Sequence, residues 1–132
     1  MTAIPDKFLD LVTKKKAFAH LATIMADGSP QVTPVWVDYA HGVIRVNTAK
    51  GRTKARNMKT GARVAVAIQD PDNPYRYLAV RGRVEEITER GADAHIDALT
   101  KKYLGQDRYP YRQAGEVRVT YRIRPERVST MG

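Results

Sequence analysis

Two segments of the chain place apolar residues three or four positions apart, which is the spacing of one helical face. These residues are Ile4, Phe8, Leu11 and Val12 near the N-terminus, and Ala92, Ile96, Leu99 and Tyr103 later in the chain. The first pattern, with Pro5 suited to a first helical turn, predicts an amphipathic helix that ends at a lysine run over residues 14–16. The second pattern predicts a helix over residues 90–104.

Six further segments alternate apolar and polar residues, as β-strands do. They cover residues 17–24, 31–38, 43–48, 63–69, 75–87 and 117–124. Glycine-containing turns separate the first three strands, and residues 70–74 carry the signals of a loop. Pro34 has no N–H to donate, which predicts an edge strand or a bulge, and Gly82 predicts a bulge in the fifth strand.

Residues 50–59 predict a short, strongly basic helix between the third and fourth strands. The order of elements is therefore helix, three strands, short helix, two strands, helix and strand. Sequential antiparallel strands with peripheral helices predict an α+β barrel of about six strands. No internal repeat or linker divides the sequence, so we expect a single domain over residues 1–132.

The composition narrows the class of protein. Of 132 residues, 42% are hydrophobic, which is enough for a core and argues against a disordered chain. The absence of cysteine excludes disulfides, thiolate nucleophiles and cysteine-ligated metals. The longest apolar stretches are strand-sized, and the lysine run follows the first apolar positions rather than preceding them. We therefore expect a cytoplasmic protein with no membrane segment.

The charge predicts an anionic partner. Lys and Arg number 23 against 14 acidic residues, a formal net charge of +9. Such a surplus suits nucleic acid, a membrane surface or a phosphorylated small molecule, although a simple basic surface would also account for it.

Common catalytic motifs are missing from the sequence. The three histidines (His20, His41 and His95) have no metal-ligand partners at useful spacing, so we expect structural or exposed histidines and no metal site. Glu85 and Glu86 face opposite sides of a strand and cannot act together as acid and base. No catalytic residue is assigned, and any chemistry would come from a bound cofactor.

Residues 47–54 give the strongest local signal. A strand ends in Asn47 and Thr48, turns through Lys50 and Gly51, and enters a helix with Arg52, Thr53 and Lys54 in its first turn. Cations there oppose the helix dipole, and a bound phosphate would supply the missing counter-ion. The alternative is a basic helix face in contact with solvent.

Aromatic and basic residues elsewhere leave two interpretations open. Trp36 is the only tryptophan and suits a barrel core, whereas Tyr75 and Tyr77 share one face of a strand and suit either a core or the side of a planar-ligand site. The arginines of the last strand either face solvent or complete an anionic pocket; they are Arg118, Arg122 and Arg124.

An ordered set of short motifs resembles a known family. The motifs are Leu21-Ala22-Thr23, Asp27-Gly28-Ser29-Pro30, Pro34-Val35-Trp36-Val37, Asn47-Thr48, Gly51-Arg52-Thr53-Lys54 and Arg56-Asn57-Met58. In this order the sequence resembles the pyridoxamine-phosphate-oxidase-like split-barrel superfamily, and in particular its branch that uses the deazaflavin coenzyme F420. The resemblance runs from the first helix through Arg81-Gly82 and more loosely to the end.

The resemblance implies a split β-barrel homodimer with two cofactor sites at the subunit interface. Residues 34–37 would lie along the cofactor rings, while Asn47, Thr48, Arg52 and Lys54 would hold the phosphate. Tyr75 and Tyr77 would reach the site from the partner subunit. The basic charge suits F420, which carries a phosphate and a glutamate tail, better than it suits FMN.

Two segments depart from the family pattern. Residues 127–132 lack the Arg-Leu-x-Pro ending expected of true pyridoxamine-phosphate oxidases, which argues against vitamin B6 oxidation. Residues 106–115 match no family motif, and we expect them to influence substrate choice.

The resulting hypothesis is an F420-dependent oxidoreductase that passes a hydride from the reduced deazaflavin to a small, electrophilic, conjugated molecule. The alternatives are an FMN-binding oxidoreductase of the same fold and a non-catalytic carrier of a flavin-like cofactor. Nucleic-acid binding ranks behind these, because aromatic residues do not interleave with the basic ones over residues 50–59.

Overall fold

A computed structural model describes residues 2–132, in which seven antiparallel strands form one sheet. The strands are β1 (Ala19–Ile24), β2 (Pro30–Val35), β3 (Asp38–Ala40), β4 (Val43–Ala49), β5 (Arg63–Asp70), β6 (Asn73–Thr88) and β7 (Arg118–Met131). The helices are α1 (Asp10–Thr13), α2 (Thr53–Asn57) and α3 (Ala92–Leu104), and a single 3-10 turn covers Asp6–Phe8. The predicted α+β class is confirmed.

The connection between β2 and β3 shows that the sheet curls into a barrel. The strand order is β2-β1-β5-β6-β7-β4-β3, so β2 and β3 are its two outermost strands. Only Trp36 and Val37 join them. Three Cα–Cα steps span at most about 11 Å. The two edges must therefore lie close together, and the barrel is split between them.

The N-terminal segment is less regular than its hydrophobic pattern predicts. The expected helix is divided into the 3-10 turn and the four-residue α1. Its apolar face is nevertheless buried as expected: Phe8, Leu11 and Val12 are all less than 5% exposed. An isolated helix this short is unstable in water, so the burial of these side chains holds the segment in place.

Several strand boundaries differ from those predicted. The segment over residues 31–38 ends at Val35, and the short β3 forms the seventh strand. Residues 70–74 are a tight turn rather than a loop, because β6 begins at Asn73. The last strand continues to Met131 by pairing with the first half of β6.

The predictions for Pro34 and Gly82 are confirmed. Pro34 lies in β2, which pairs only with β1 and is an edge strand. The β6–β7 register shifts at Gly82, and a Cβ atom there would collide with the backbone carbonyl of Arg124.

The barrel interior is filled by alternate residues of the strands. Large buried side chains include Leu21, Ile44, Ile68, Leu78 and Ile123. A second apolar cluster lies outside the barrel, where Ile96, Leu99 and Tyr103 of α3 pack with Trp36 and Tyr109. This second cluster lies beside the split. Within residues 2–132, none of the helices has the length and apolarity needed to cross a bilayer.

Candidate functional site

A cleft of about 200 Å³ lies beside the split and brings together six of the residues predicted to bind a cofactor. These are Pro34, Val35, Trp36, Asn47, Arg52 and Lys54. Residues distant in sequence complete it, namely Phe18, Ile96, Leu99, Tyr109, Tyr111 and Arg118. The strand end at residues 34–36 and the basic segment at residues 52–54 are therefore parts of one site.

One side of the cleft is aromatic. The indole of Trp36 stacks on the ring of Tyr103, with centroids 5.3 Å apart and planes at 7°. Tyr109 meets Trp36 edge-on at 6.2 Å, and Tyr111 meets Tyr109 at 5.6 Å. Trp36 is only partly buried, so it belongs to this cleft rather than to the barrel core. The arrangement presents an apolar surface suited to a planar ligand.

Helix α3 holds the backbone that follows Trp36. The Tyr103 hydroxyl donates to the Ala17 carbonyl at 2.6 Å and accepts from the Val37 N–H at 3.2 Å. The ammonium of Lys102 donates to the Val37 carbonyl at 2.6 Å. Burial raises the pKa of Tyr103 to about 12 and lowers that of Lys102 to about 8. The segment that joins the two sheet edges is thus held by two side chains of one helix: the neutral Tyr103 hydroxyl accepts from the Val37 N–H, and the Lys102 ammonium donates to the Val37 carbonyl.

The other side of the cleft carries three cations. Arg52 is exposed, Lys54 is partly buried, and the Arg118 side chain is only 4% exposed. Burial, followed by repulsion from Arg52 and Arg118, lowers the pKa of Lys54. No carboxylate among residues 2–132 lies within ion-pairing distance of Arg52 or Lys54. An anion bound here would relieve that repulsion.

Arg118 is fixed in position on three sides. Its Nε–H donates to Oδ1 of Asn47 at 2.9 Å, and Nη1 donates to the Glu116 carboxylate at 3.0 Å. Its guanidinium lies over the ring of Tyr109, 5.1 Å from the centroid. Because Arg118 has one carboxylate partner and two cationic neighbours, the cleft keeps a positive charge.

The amide of Asn47 connects this arginine to a buried histidine. Nδ2 of Asn47 donates to the Ala92 carbonyl at 2.9 Å and lies 3.2 Å from Nδ1 of His95. The His95 Nε2 lies 3.2 Å from the Asp38 carboxylate, which Arg45 also holds through two hydrogen bonds. Burial raises the pKa of Asp38, but its bonds to His95 and Arg45 outweigh this effect and hold the pKa below its usual value.

Four of the residues predicted for phosphate binding do not line the cleft. Thr48 faces the barrel interior, is 1% exposed, and has no hydrogen-bond partner for its hydroxyl among the described residues. Lys50 forms an ion pair with Glu89. Gly51 adopts a left-handed conformation (φ 92°), and Thr53 begins α2. The assignment of these four residues to the cofactor stays a prediction.

The basic helix is shorter than its sequence predicts. It covers Thr53–Asn57 instead of residues 50–59. A helix of five residues has a weak dipole, so side-chain cations supply most of the positive potential of the cleft.

Tyr75 and Tyr77 lie outside this cleft, near the start of β6. Their side chains are 79% and 36% exposed. They do not line the cleft of their own chain, and their contact with a partner's cofactor stays a prediction.

Sequence reasoning missed most of the residues that α3 and the segment after it bring to the cleft. Tyr109 and Tyr111 belong to residues 106–115, the segment that matched no motif. The Tyr109 N–H donates to Asp97 at 2.9 Å, and Arg112 pairs with both Asp93 and Asp97. The only available signal was the unusual density of tyrosine and arginine in that segment. No group of three histidine or acidic side chains within residues 2–132 is arranged to hold a metal ion.

Comparison with known proteins gives one family and several solved structures. The sequence model of the pyridoxamine 5′-phosphate oxidase family matches residues 4–132. A solved structure named F420 reductase is 35% identical, has a TM-score of 0.83, and aligns over 96% of this chain and 98% of its own. A search of curated protein sequences finds no significant match.

Two more distant structures share the fold. A conserved hypothetical protein from Mycobacterium tuberculosis is 23% identical, with a TM-score of 0.72 and coverage of 98% of this chain and 85% of its own. An FAD- and haem-binding protein from Mycobacterium smegmatis is 15% identical, with a TM-score of 0.70 and coverage of 98% and 71%.

Proposed function

This chain belongs to the pyridoxamine 5′-phosphate oxidase family, and from that premise we propose that it is an F420-dependent oxidoreductase acting on a small, electrophilic, conjugated molecule. The observation that carries the proposal is the joining of an aromatic surface at Trp36 to uncompensated cations at Arg52 and Lys54 within one cleft. A planar ring system with an anionic tail is the ligand class that uses both features.

The residues of the cleft fit such a cofactor. The lowered pKa of Lys54, caused by burial and then by Arg52 and Arg118, is what a site built for a phosphate would show before the phosphate binds. Trp36 and the free edge of β2 offer a flat face and unpaired backbone groups beside the cations. F420 carries more negative charge than FMN, so the net charge of +9 favours F420.

Bound in its reduced form, the deazaflavin would supply the hydride. The chain itself would orient the ring system against Trp36, hold the anionic tail at Arg52, Lys54 and Arg118, and keep water from the reacting face through the aromatic residues of the 106–115 segment. The side-chain proton donor is not assigned.

We also propose that the working form is a homodimer. A cleft of about 200 Å³ is smaller than most ligand pockets, so a long cofactor must extend beyond it. The outer face of the sheet has two adjoining grooves of about 480 and 470 Å³, whose linings include the small side chains of Ala22, Ala65, Ala67 and Ala79 together with Arg63, Arg81, Arg83 and Arg127. Beside them Ile24 and Val32 are 49% and 63% exposed. A second copy would cover this face, and would bring Tyr75 and Tyr77 to its partner's site.

The test is a titration of the purified protein with F420 and, separately, with FMN, followed by quenching of cofactor fluorescence at physiological salt. Low-micromolar or tighter binding of F420 with much weaker binding of FMN is the expected result. The reverse preference would make this an FMN oxidoreductase of the same fold. Binding of neither cofactor would contradict the proposal.

Turnover separates an enzyme from a carrier. With reduced F420 bound, an oxidoreductase should oxidise the deazaflavin in the presence of a panel of conjugated acceptors, and the absorbance of the oxidised cofactor should return. Tight binding without turnover across a broad panel would favour a non-catalytic carrier. Protein made in a host that lacks F420 should be colourless, whereas tightly bound FMN would make it yellow.

A further inference from the structure

His95 lies at the centre of a polar chain that crosses from one edge of the split to the cleft. In order, the chain contains Arg45, Asp38, His95, Asn47 and Arg118, with each member within 3.2 Å of the next. His95 is 5% exposed, and none of the cofactor contacts predicted from the sequence includes it. Within residues 2–132, hydrogen bonds link its side chain to the cleft through Asn47.

The hydrogen bonds fix the orientation of the Asn47 amide. Nδ2 must face the Ala92 carbonyl, which only accepts, and Oδ1 must face the Arg118 Nε–H, which only donates. The second N–H of Asn47 therefore points at Nδ1 of His95, which has to accept it. Nδ1 thus carries no proton, and Nε2 carries the proton and donates to Asp38.

This orientation has a consequence for Arg118. If Nδ1 of His95 took up a proton, it would face the N–H of Asn47 and would turn instead to the hydroxyl of Thr120, also 3.2 Å away. The Asn47 amide would lose one of its three anchors. The Asn47 oxygen that accepts from the Arg118 Nε–H would then be held less firmly beside Lys54.

We propose that His95 is a positioning residue for the anion site, and that it holds Asn47 and Arg118 in their binding arrangement only while its Nδ1 is unprotonated. The proposal rests on the proposed binding of an anionic cofactor in this cleft. The charged groups around His95 are Asp38 from β3, Arg45 from β4 bound to that carboxylate, and Arg118 from β7 through Asn47; Thr120 of β7 is neutral.

Two substitutions separate positioning from general structure. In His95→Asn the side-chain oxygen lies where Nδ1 lies, so it still accepts from Asn47 but cannot titrate. In His95→Leu the acceptor is lost. His41→Asn is the matched control, because His41 is exposed, lies in a turn with φ 53°, and asparagine tolerates that conformation.

The binding experiment measures F420 affinity from pH 8 down to about pH 5.5, across the range in which histidines ordinarily titrate. For wild type and His41→Asn, affinity should fall about tenfold as the pH is lowered. His95→Asn should bind with nearly constant affinity, and His95→Leu should bind about tenfold more weakly throughout. Equal pH profiles for wild type and His95→Asn would overturn the proposal, because the titration of the ligand is common to both.

A measurement without cofactor keeps the two proposals distinguishable. Long-range ¹H–¹⁵N NMR of the histidine ring should show the Nε2–H tautomer at neutral pH, and the Arg118 Nε–H resonance should shift as the pH is lowered from 8 to about 5.5. An Nδ1–H tautomer of His95, or an Arg118 resonance that does not change with pH, would overturn the positioning role. If wild-type protein binds neither F420 nor FMN, the proposed function fails, while this measurement still decides how His95 acts on Arg118.

Discussion

Tyr103 stacks on the indole of Trp36 while its hydroxyl holds the N–H of Val37, the next residue along the chain. A single side chain of α3 therefore sets both the tilt of the aromatic surface and the path of the backbone between the two sheet edges. Because Tyr103 both stabilises this backbone segment and stacks on Trp36, a change at Tyr103 should affect the stability of the fold and the shape of the cleft together.

Tyr103→Phe should keep the stacking and lose the hydroxyl. The Val37 N–H and the Ala17 carbonyl would lose a buried partner, so we expect the free energy of unfolding to fall by about 1–3 kcal/mol. Chemical denaturation at pH 7 measures this. Tyr75→Phe, at a position 79% exposed, is the control and should change stability little.

The same variant should alter the alkaline stability profile. The pKa of Tyr103 is raised to about 12 by burial, above its unfolded value of about 10. Its contribution is therefore fully present below pH 10 and is lost as the pH rises through about 12. The stability difference between wild type and Tyr103→Phe should shrink over that range. A difference independent of pH would contradict the burial of a neutral hydroxyl.

Lys54→Ala should weaken F420 binding by about 1.5–3 kcal/mol, or roughly 10- to 150-fold, because it removes a charge-assisted contact to the phosphate. Lys59→Ala is the matched control, since Lys59 follows the same helix, is exposed and lies outside the cleft. Fluorescence titration of both variants measures the effect. If the two variants bind F420 with equal affinity, the phosphate must bind at another place on the protein.

Mixing two variants tests whether Tyr75 serves the partner's site. If the working form is the proposed homodimer, the Lys54→Ala and Tyr75→Ala variants should each bind cofactor weakly. If a site takes Lys54 from one subunit and Tyr75 from the other, unfolding and refolding the two together should restore one intact site in each mixed dimer. Binding stoichiometry measures this. If no intact site is recovered, either Lys54 and Tyr75 serve the site of the same subunit, or Tyr75 takes no part in the site.

Arg112→Ala should loosen the tyrosine-bearing segment without unfolding the protein. Arg112 is paired with Asp93 and Asp97 at the surface, so its removal should change the free energy of unfolding by less than about 1 kcal/mol. Trp36 is the only tryptophan and contacts Tyr109. Its emission should move to the red and become easier to quench with iodide. Arg124→Ala, with nearly the same exposure and a pair to Glu126, should leave the emission unchanged.

Much of the fold follows from local pattern, and the exceptions have physical causes. Val64, Val66 and Ile68 alternate cleanly and lie in β5 as predicted. The second half of β7 was missed because residues 125–131 lack alternation; their strand conformation comes from pairing with β6.

The site was predicted where its residues are neighbours in sequence. Residues 34–36 and Arg52 with Lys54 do converge. For Arg118 the sequence left open whether it faces solvent or completes an anionic pocket, and Tyr109 was not assigned, because only the packing of α3 and β7 brings them there. Asn47 and Thr48 are adjacent strand residues whose side chains face opposite sides of the sheet, so the sequence alone indicated that only one of the two side chains would line a given cleft.

The two-residue connection between β2 and β3 also bears on how quickly a ligand can enter and leave. The side of the cleft formed by Trp36 is attached covalently to both sheet edges and cannot swing outward without stretching the backbone. The opposite side, with Tyr109 and Tyr111, is held by hydrogen bonds and surface ion pairs to α3. The opening of the second side alone should therefore control how fast a ligand enters and leaves. A neutral ring analogue has no charge for salt to screen, yet its dissociation rate should still rise with ionic strength, because salt weakens the ion pairs that hold this side.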